Sequence, residues 1–447
     1  MMCTRMRKTI KTVFAAALVF LLPFLTACTS AETRIFSEID PDSTVEITMW
    51  VYPVGDFSDP STMNKFISAF NKKNPDIKVN VDYLDYETGD DQISEAIKAQ
   101  STPDIVMEGP ERIVANWSEA GLMADVSSLW TDDSSADIIK TNKVISDACI
   151  GTDGRYYEYP LCMTAHCMAI NYEIFKKAGA LKYIDRKTRT WSTDDFIKAC
   201  RAVALSGLVE TPGIIYCGGQ GGDQGTRALV TNLYGAEFTN KNHTEYTINS
   251  SRGIKALSVL SAMTKKGYIK SDSNIEAAGE LQKFTSGDIA MSFAWNASNE
   301  KNYASNVDFT PYVMAFPTDS GRPQLCGGIW GFGIFDNGNH RKAEAARKFI
   351  SFLCDDKDQS AKSVRATGLF AVRHSLGNVY DGTSAEKRMN SYKIVMQYLG
   401  DYYSITPGWT AQRTAWWNML QQVFNGTDPK TAADNYAKTV NKNIKVK

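Results

Sequence analysis

From Val45 the chain alternates apolar and polar residues, Val45-Glu46-Ile47-Thr48-Met49-Trp50, the period of a half-buried strand. Ser61 to Phe70 then sets Phe66, Ile67 and Phe70 on one helical face, and Asn71 to Pro75 stops it. Alternation returns over Ile77 to Tyr83. A short helix is predicted from Ile93 to Gln100, ended by Pro103, and a third strand over Asp104-Ile105-Val106-Met107. This β-α-β-α-β order predicts a mostly parallel sheet flanked by helices.

A second block of similar size follows. Leu161 to Asn171 reads as one extended run. Ser192 and Asp195, after Trp191, have the spacing of a helix N-terminal capping box. Ile254, Leu257, Leu260 and Met263 share a face of a helix over 252–267. Phe284 to Met291 reads as a helix end followed by a buried strand. Gly327 to Gly333 is dense in glycine, where backbones or a ligand must approach closely. Further helices are predicted over Ala343 to Leu353 and Trp416 to Phe424.

The region before Val45 follows another pattern. Arg5, Arg7, Lys8 and Lys11 precede an apolar run from Val13 to Leu25, followed by small residues. That is the layout of a secretory signal, and the run is shorter than the about 20 residues that span a bilayer. Leu25-Thr26-Ala27-Cys28 resembles a bacterial lipobox, which implies cleavage after residue 27 and a lipid on Cys28. Residues 28–44 are polar and predict a flexible tether. The expected place is extracytoplasmic, tethered by lipid to the cell membrane.

Length and composition then narrow the function. The 447 residues leave a mature chain of 420 (447 − 27), which predicts two to three domains, and 43% hydrophobic residues can fill their cores. The formal net charge is −1, and without the four basic residues of the signal it is −5 (45 basic against 50 acidic), which argues against nucleic acid as a partner. Nine cysteines include Cys3 in the leader and Cys28, with no C-x-x-C pair, so buried free thiols are expected rather than a metal or redox site. The four histidines fall in no H-E-x-x-H pattern, and G-x-S-x-G is absent. Glycosidases need two carboxylates, and acid pairs such as Asp90-Asp91 exist, but adjacent exposed acids on a loop read as solvated. No enzyme, cofactor or metal is expected.

Several local patterns in a fixed order resemble one family. They are the first strand ending in Trp50, Pro103-Asp104-Ile105-Val106, Ala120-Gly121-Leu122 leading to Asp125, Tyr159-Pro160 with Asn171 beyond, and Trp191-Ser192 before a helix. Phe284-x-x-Gly287-x-x-Ala290-Met291, Gly327-Gly328 and Gly368-Leu369-Phe370-Ala371-Val372-Arg373 complete the set. The mature chain thereby resembles the extracellular solute-binding lipoproteins of bacterial ABC importers, in their maltose-binding-protein-like, sugar-binding branch. The resemblance implies a two-lobe α/β fold of the periplasmic-binding-protein type, each lobe a mostly parallel sheet flanked by helices, with the ligand cleft between lobes. Lobe I would take 45–162 and 327–372, and lobe II 163–326 and 373–447. It implies a monomer that captures a carbohydrate and delivers it to ABC permease subunits. A non-sugar solute (peptide, polyamine or phosphate compound) is the alternative, and a secreted glycoside hydrolase a lesser one.

Sugars present flat apolar faces edged by hydroxyls, so aromatic platforms and charged groups are the expected ligand contacts. The resemblance carries Glu111 and Arg112 onto the family's sugar-facing acid–Arg pair, and Trp295 onto a stacking Trp. The resemblance also implies that the chain crosses between lobes near Cys162–Cys167, Leu325–Trp330 and Val372–Ser375; Trp330, among the glycines of the second crossing, and Trp409 and Arg413, ahead of the last long helix, are expected to line the cleft. So are Asp223, Gln224 and Arg227 around the glycine-rich loop, with Tyr52 at the first strand's end. The chain departs from the maltose-binding member at Glu108 and Gln224, where that member has aromatics, and at Thr164, where it has an acid. Those departures imply a smaller or more polar ligand than a long maltodextrin. Cys162 and Cys326 fall where crossing strands should run together, which makes them candidates for a hinge disulfide.

Overall fold

The computed structural model describes residues 44–85, 88–219, 222–303, 306–442 and 444. The signal, the lipobox at Cys28 and nearly all of the tether lie outside them. Residues Thr44–Lys447 form one compact unit, and the fold is the two-lobe binding-protein type.

The first lobe is built on a six-stranded sheet. Its strands are β1 (Val45–Val51), β2 (Ile77–Tyr83), β3 (Ile105–Glu108), β4 (Tyr159–Ala165), and two that return late in the chain. The second lobe carries β5 (Cys167–Asn171), β6 (Ile214–Tyr216), β7 (Lys270–Asp272), β8 (Met291–Trp295) and β9 (Pro311–Met314). The late strands are β10 (Gly327–Ile334) and β11 (Phe370–Ala371). The first sheet runs β11-β4-β10-β3-β1-β2; the second lobe has β8-β5-β9 and β6-β7.

The expected parallel pairing holds for β2-β1-β3, whose strands are joined through helices. It fails for the rest of that sheet. β10 runs antiparallel to β3 and β4, and β11 antiparallel to β4. In the second lobe β5 is antiparallel to both β8 and β9. The reason is the path of the chain. β10 returns from the other lobe alongside the strand that left for it, and needs no crossover helix. The extended run read over 161–171 is two strands, split at His166, whose backbone N–H donates to the Cys326 carbonyl at 3.0 Å. The chain changes sheets there going out, and at Gly327 coming back.

The glycines of β10 serve backbone approach. A Cβ on Gly331 would lie 2.6 Å from both the Tyr159 carbonyl oxygen and Glu158 Oε1. The register also excludes the disulfide. Cys162 faces Trp330, whereas Cys326 precedes Gly327, the partner of Ala165. About four residues of strand rise, near 3.3 Å each, separate the two thiols along the ladder. That is well beyond the about 7 Å limit for a disulfide. All seven cysteines of the described residues are free and buried.

Two helices start earlier than their periodicity indicated. The helix expected from Ile93 is Gly89–Lys98, so Asp90 and Asp91 occupy its first turn, where acids favour the helix dipole. The helix expected from Trp416 is Trp409–Phe424, entered from Gly408 at φ 81°. Trp409 and Arg413 are therefore on it, and it is not the last: Pro429–Asn441 follows, capped by Asp428. The Ser192 box forms as read, with Asp195 N–H donating to Ser192 Oγ at 3.0 Å.

Candidate ligand cleft

On the first lobe, three loops at the carboxyl ends of β1, β2 and β3 converge. The β1 end supplies Tyr52, and the first turn of the helix Gly89–Lys98, which follows β2, supplies Asp90. The end of β3 supplies Glu108, with Pro110 opening the helical turn that carries Glu111 and Arg112. Arg112 joins them. Its Nη1 donates to Glu108 Oε1 at 3.0 Å and its Nη2 to Asp90 Oδ2 at 2.6 Å. The Tyr52 hydroxyl donates to Asp90 Oδ1 at 2.6 Å. Tyr52 itself is buried, with Arg112 6.0 Å above its ring centre.

These contacts account for the carboxylate at position 108. Glu108 stands where the maltose-binding member has an aromatic, yet it is buried and holds Arg112. Burial pushes its carboxyl up to about 7, with Arg112 opposing and Glu111 adding to the rise. Behind it lies Glu158, fully buried and raised well above the ordinary value by burial and by the charges of Glu111 and Glu108.

On the second lobe, Asp223 precedes the helix Gln224–Tyr234, which carries Arg227 one turn in. Arg227 is fully buried. Its Nε lies 3.1 Å from Asp223 Oδ2, and its guanidinium sits 4.3 Å from the Trp409 ring centre and 5.3 Å from those of Phe238 and Tyr403. Burial disfavours this cation, but Asp223 outweighs it and holds the guanidinium charged. Arg413 meets the same carboxylate at 3.5 Å. His166, at the crossing, is pushed down to about 4 by burial and by Arg227, so it is neutral at pH 7.

Three interactions tie these two groups and their lobes together. The Tyr402 hydroxyl donates to Glu111 Oε2 at 2.8 Å, in the segment leading to the Trp409 helix. A cross-lobe ion pair joins Lys301 to Asp56 at 2.7 Å. Arg413 also adds to the forces that keep the Asp90 carboxyl ionised.

The structure thus gathers Tyr52, Glu111, Arg112, Asp223, Arg227 and Arg413 around one region, with Gln224 half-buried at the helix start. The aromatic platforms fare differently. Trp295 is 0% exposed, packed edge-to-face on Phe284 with ring centres 5.2 Å apart, so it offers no face here. Trp409 is 7% exposed, and its ring carries Arg227. Of the three, only Trp330 keeps partial exposure. Trp416 is core, donating to Thr226 Oγ1 at 2.9 Å. Along the chain Asp90 reads as a solvated acid, and nothing local marks Tyr402 or Tyr403. The acid pair at a helix N-terminus was the available signal for Asp90; the tyrosines had none.

A family model described as bacterial extracellular solute-binding protein matches residues 55–360, more than half of the chain. The chain belongs to that family. None of the curated proteins compared with this solute-binding protein matches it. Among solved structures, it is similar to an ABC substrate-binding protein from Listeria monocytogenes in complex with cycloalternan. Identity is 22%, TM-score 0.70, covering 90% of this chain and 99% of that one. It is similar to a cyclic α-maltosyl-1,6-maltose binding protein from Arthrobacter globiformis, at 17% identity and TM-score 0.70, covering 90% and 99%. It is also similar to an ABC transporter solute-binding protein from Agrobacterium radiobacter in complex with ribitol. There identity is 17% and TM-score 0.67, covering 90% and 100%. These likenesses establish the shared fold. No described helix is long and apolar enough to cross a membrane.

Proposed function

We propose that this solute-binding protein captures a carbohydrate or polyol between its lobes and hands it to the permease of an ABC importer. The observation that carries the reading is the convergence of Asp90, Glu111 and Arg112 from one lobe with Asp223 and Arg413 from the other. These are charged groups suited to paired hydrogen bonds with hydroxyls. Solute-binding neighbours named for cycloalternan, a cyclic maltosyl-maltose and ribitol support the ligand class. The burial of Trp295 and Trp409 supports a compact polar ligand over a long maltodextrin. In this reading Cys28 bears the lipid, residues 28–44 form the tether, and the protein works outside the membrane as a monomer. It binds and does not turn over its ligand.

The test is a thermal-shift screen over monosaccharides, disaccharides, polyols, maltodextrins, peptides, polyamines and phosphate compounds, followed by calorimetry. Ligand at 100 times its Kd stabilises by about 2.7 kcal/mol, a resolvable shift. Stoichiometric binding of a short sugar without products supports the reading. Shifts only with peptides, polyamines or phosphate compounds would replace it.

A further inference from the structure

The position that the sequence presents as a solvated acid is built as an acceptor. Asp90 has each carboxylate oxygen fixed by a different donor, Oδ1 by the Tyr52 hydroxyl and Oδ2 by Arg112 Nη2, both at 2.6 Å. Charge-assisted bonds of that length lock a side chain in place. Its side chain nevertheless remains 52% exposed, whereas Glu108, on the other arm of Arg112, is 3% exposed. A carboxylate holds about four acceptor positions, so two stay available on a group already oriented. Burial pushes the Asp90 carboxyl up, but Arg112, Tyr52 and, from the other lobe, Arg413 outweigh it and keep it ionised. The residue before it is fitted to this pairing. A Cβ on Gly89 would lie 2.8 Å from the Tyr52 ring, so a side chain there would separate Tyr52 from Asp90. The neighbouring Asp91 has no such partners in the described structure and serves as a control.

We propose that Asp90 is a specificity-determining residue of the cleft: its preset carboxylate accepts hydroxyl donors of the bound sugar or polyol. The proposal rests on the carbohydrate reading above. Preorganisation is the physical basis, because no rotamer freedom remains to be lost when the ligand arrives. Tyr52 and Arg112 then act as positioning residues through Asp90, which gives the buried Tyr52 a role without ligand contact.

The experiment measures affinity by calorimetry for D-glucose, maltose, D-tagatose and ribitol on the wild type, D90N and D91N. The monodeoxy forms of whichever compound binds complete the set. D90N is expected to weaken binding at least tenfold, about 1.4 kcal/mol, and D91N by less than twofold. One monodeoxy ligand should lose tenfold on the wild type but little more on D90N, because its missing hydroxyl is the one Asp90 accepts. D90N within twofold of the wild type would overturn the role of Asp90 and leave the carbohydrate reading standing. So would a D90N loss equal for every monodeoxy form, which would make Asp90 a support of Arg112. A wild type that binds none of these compounds would overturn both.

Discussion

Removing the charge of Asp223 should damage this protein more than removing the cation it serves. Asp223 and Arg227 are 3% and 0% exposed, so neither is screened by water. In Asp223→Asn the Arg227 guanidinium stays among Trp409, Phe238 and Tyr403 with no anion, since Asp223 is the carboxylate that holds it. Breaking a buried pair in this way costs about 3–5 kcal/mol. Arg227→Met is the opposite case. Asp223 keeps Arg413 at 3.5 Å, and the vacated space is walled by three aromatic rings that suit a Met side chain. Its cost should be about half that of Asp223→Asn or less, and the double variant should resemble Arg227→Met alone. The assay is guanidinium chloride unfolding followed by tryptophan fluorescence at pH 7, with changes taken from midpoints at a common slope. Arg227→Met as costly as Asp223→Asn, or an Asp223→Asn loss below about 1 kcal/mol, would refute the assignment of Asp223 as the shared counter-charge.

Other outcomes follow from the same structure. Glu108 and Glu280 are buried carboxyls raised from 4.5 to about 7 and about 8, chiefly by burial. The folded state therefore holds protons that the unfolded chain has released, so their contribution favours folding near pH 4.5 and weakens as pH rises to about 8. Glu280→Gln should flatten the upper part of that decline in a pH series of melting curves; an unchanged slope would count against the Glu280 assignment. Cys149, Cys162, Cys167, Cys200, Cys217, Cys326 and Cys354 should resist a thiol reagent in the folded protein and react in denaturant. A protected Cys162–Cys326 pair found in denaturant without reductant would contradict the register. Gly331→Ala should cost about 1–3 kcal/mol from overpacking against the Tyr159 carbonyl, read as a lower melting temperature. An unchanged melting point would show that β10 and β4 are looser than described.

Sheet segments were the most legible part of the chain. Val45–Val51 and Ile77–Tyr83 are strands whose alternation lies in adjacent residues, and the structure keeps them. Helix starts at Gly89 and Trp409 were less so, because their first turns hold polar or mixed residues that carry no apolar period. The acid–Arg pair Glu111-Arg112 was found through family resemblance, and its charged partners Asp90 and Glu108 were not recognised as such. They lie 22 and four positions from Arg112, and only folding makes both distances 3.0 Å or less.

What is local can be read along the chain: strand and helix periods, the Ser192 cap, the order of family patterns, and the supply of charged and aromatic residues for a cleft. How those residues are used depends on contacts that exist only once the chain has folded. Folding made β10 antiparallel, because that strand returns from the other lobe beside the strand that left. It put Trp295 in the core and Trp409 under Arg227, because a large ring gains most where water is excluded. And it turned Asp90 from a solvated acid into a fixed acceptor, because two donors distant in sequence converge on its two oxygens.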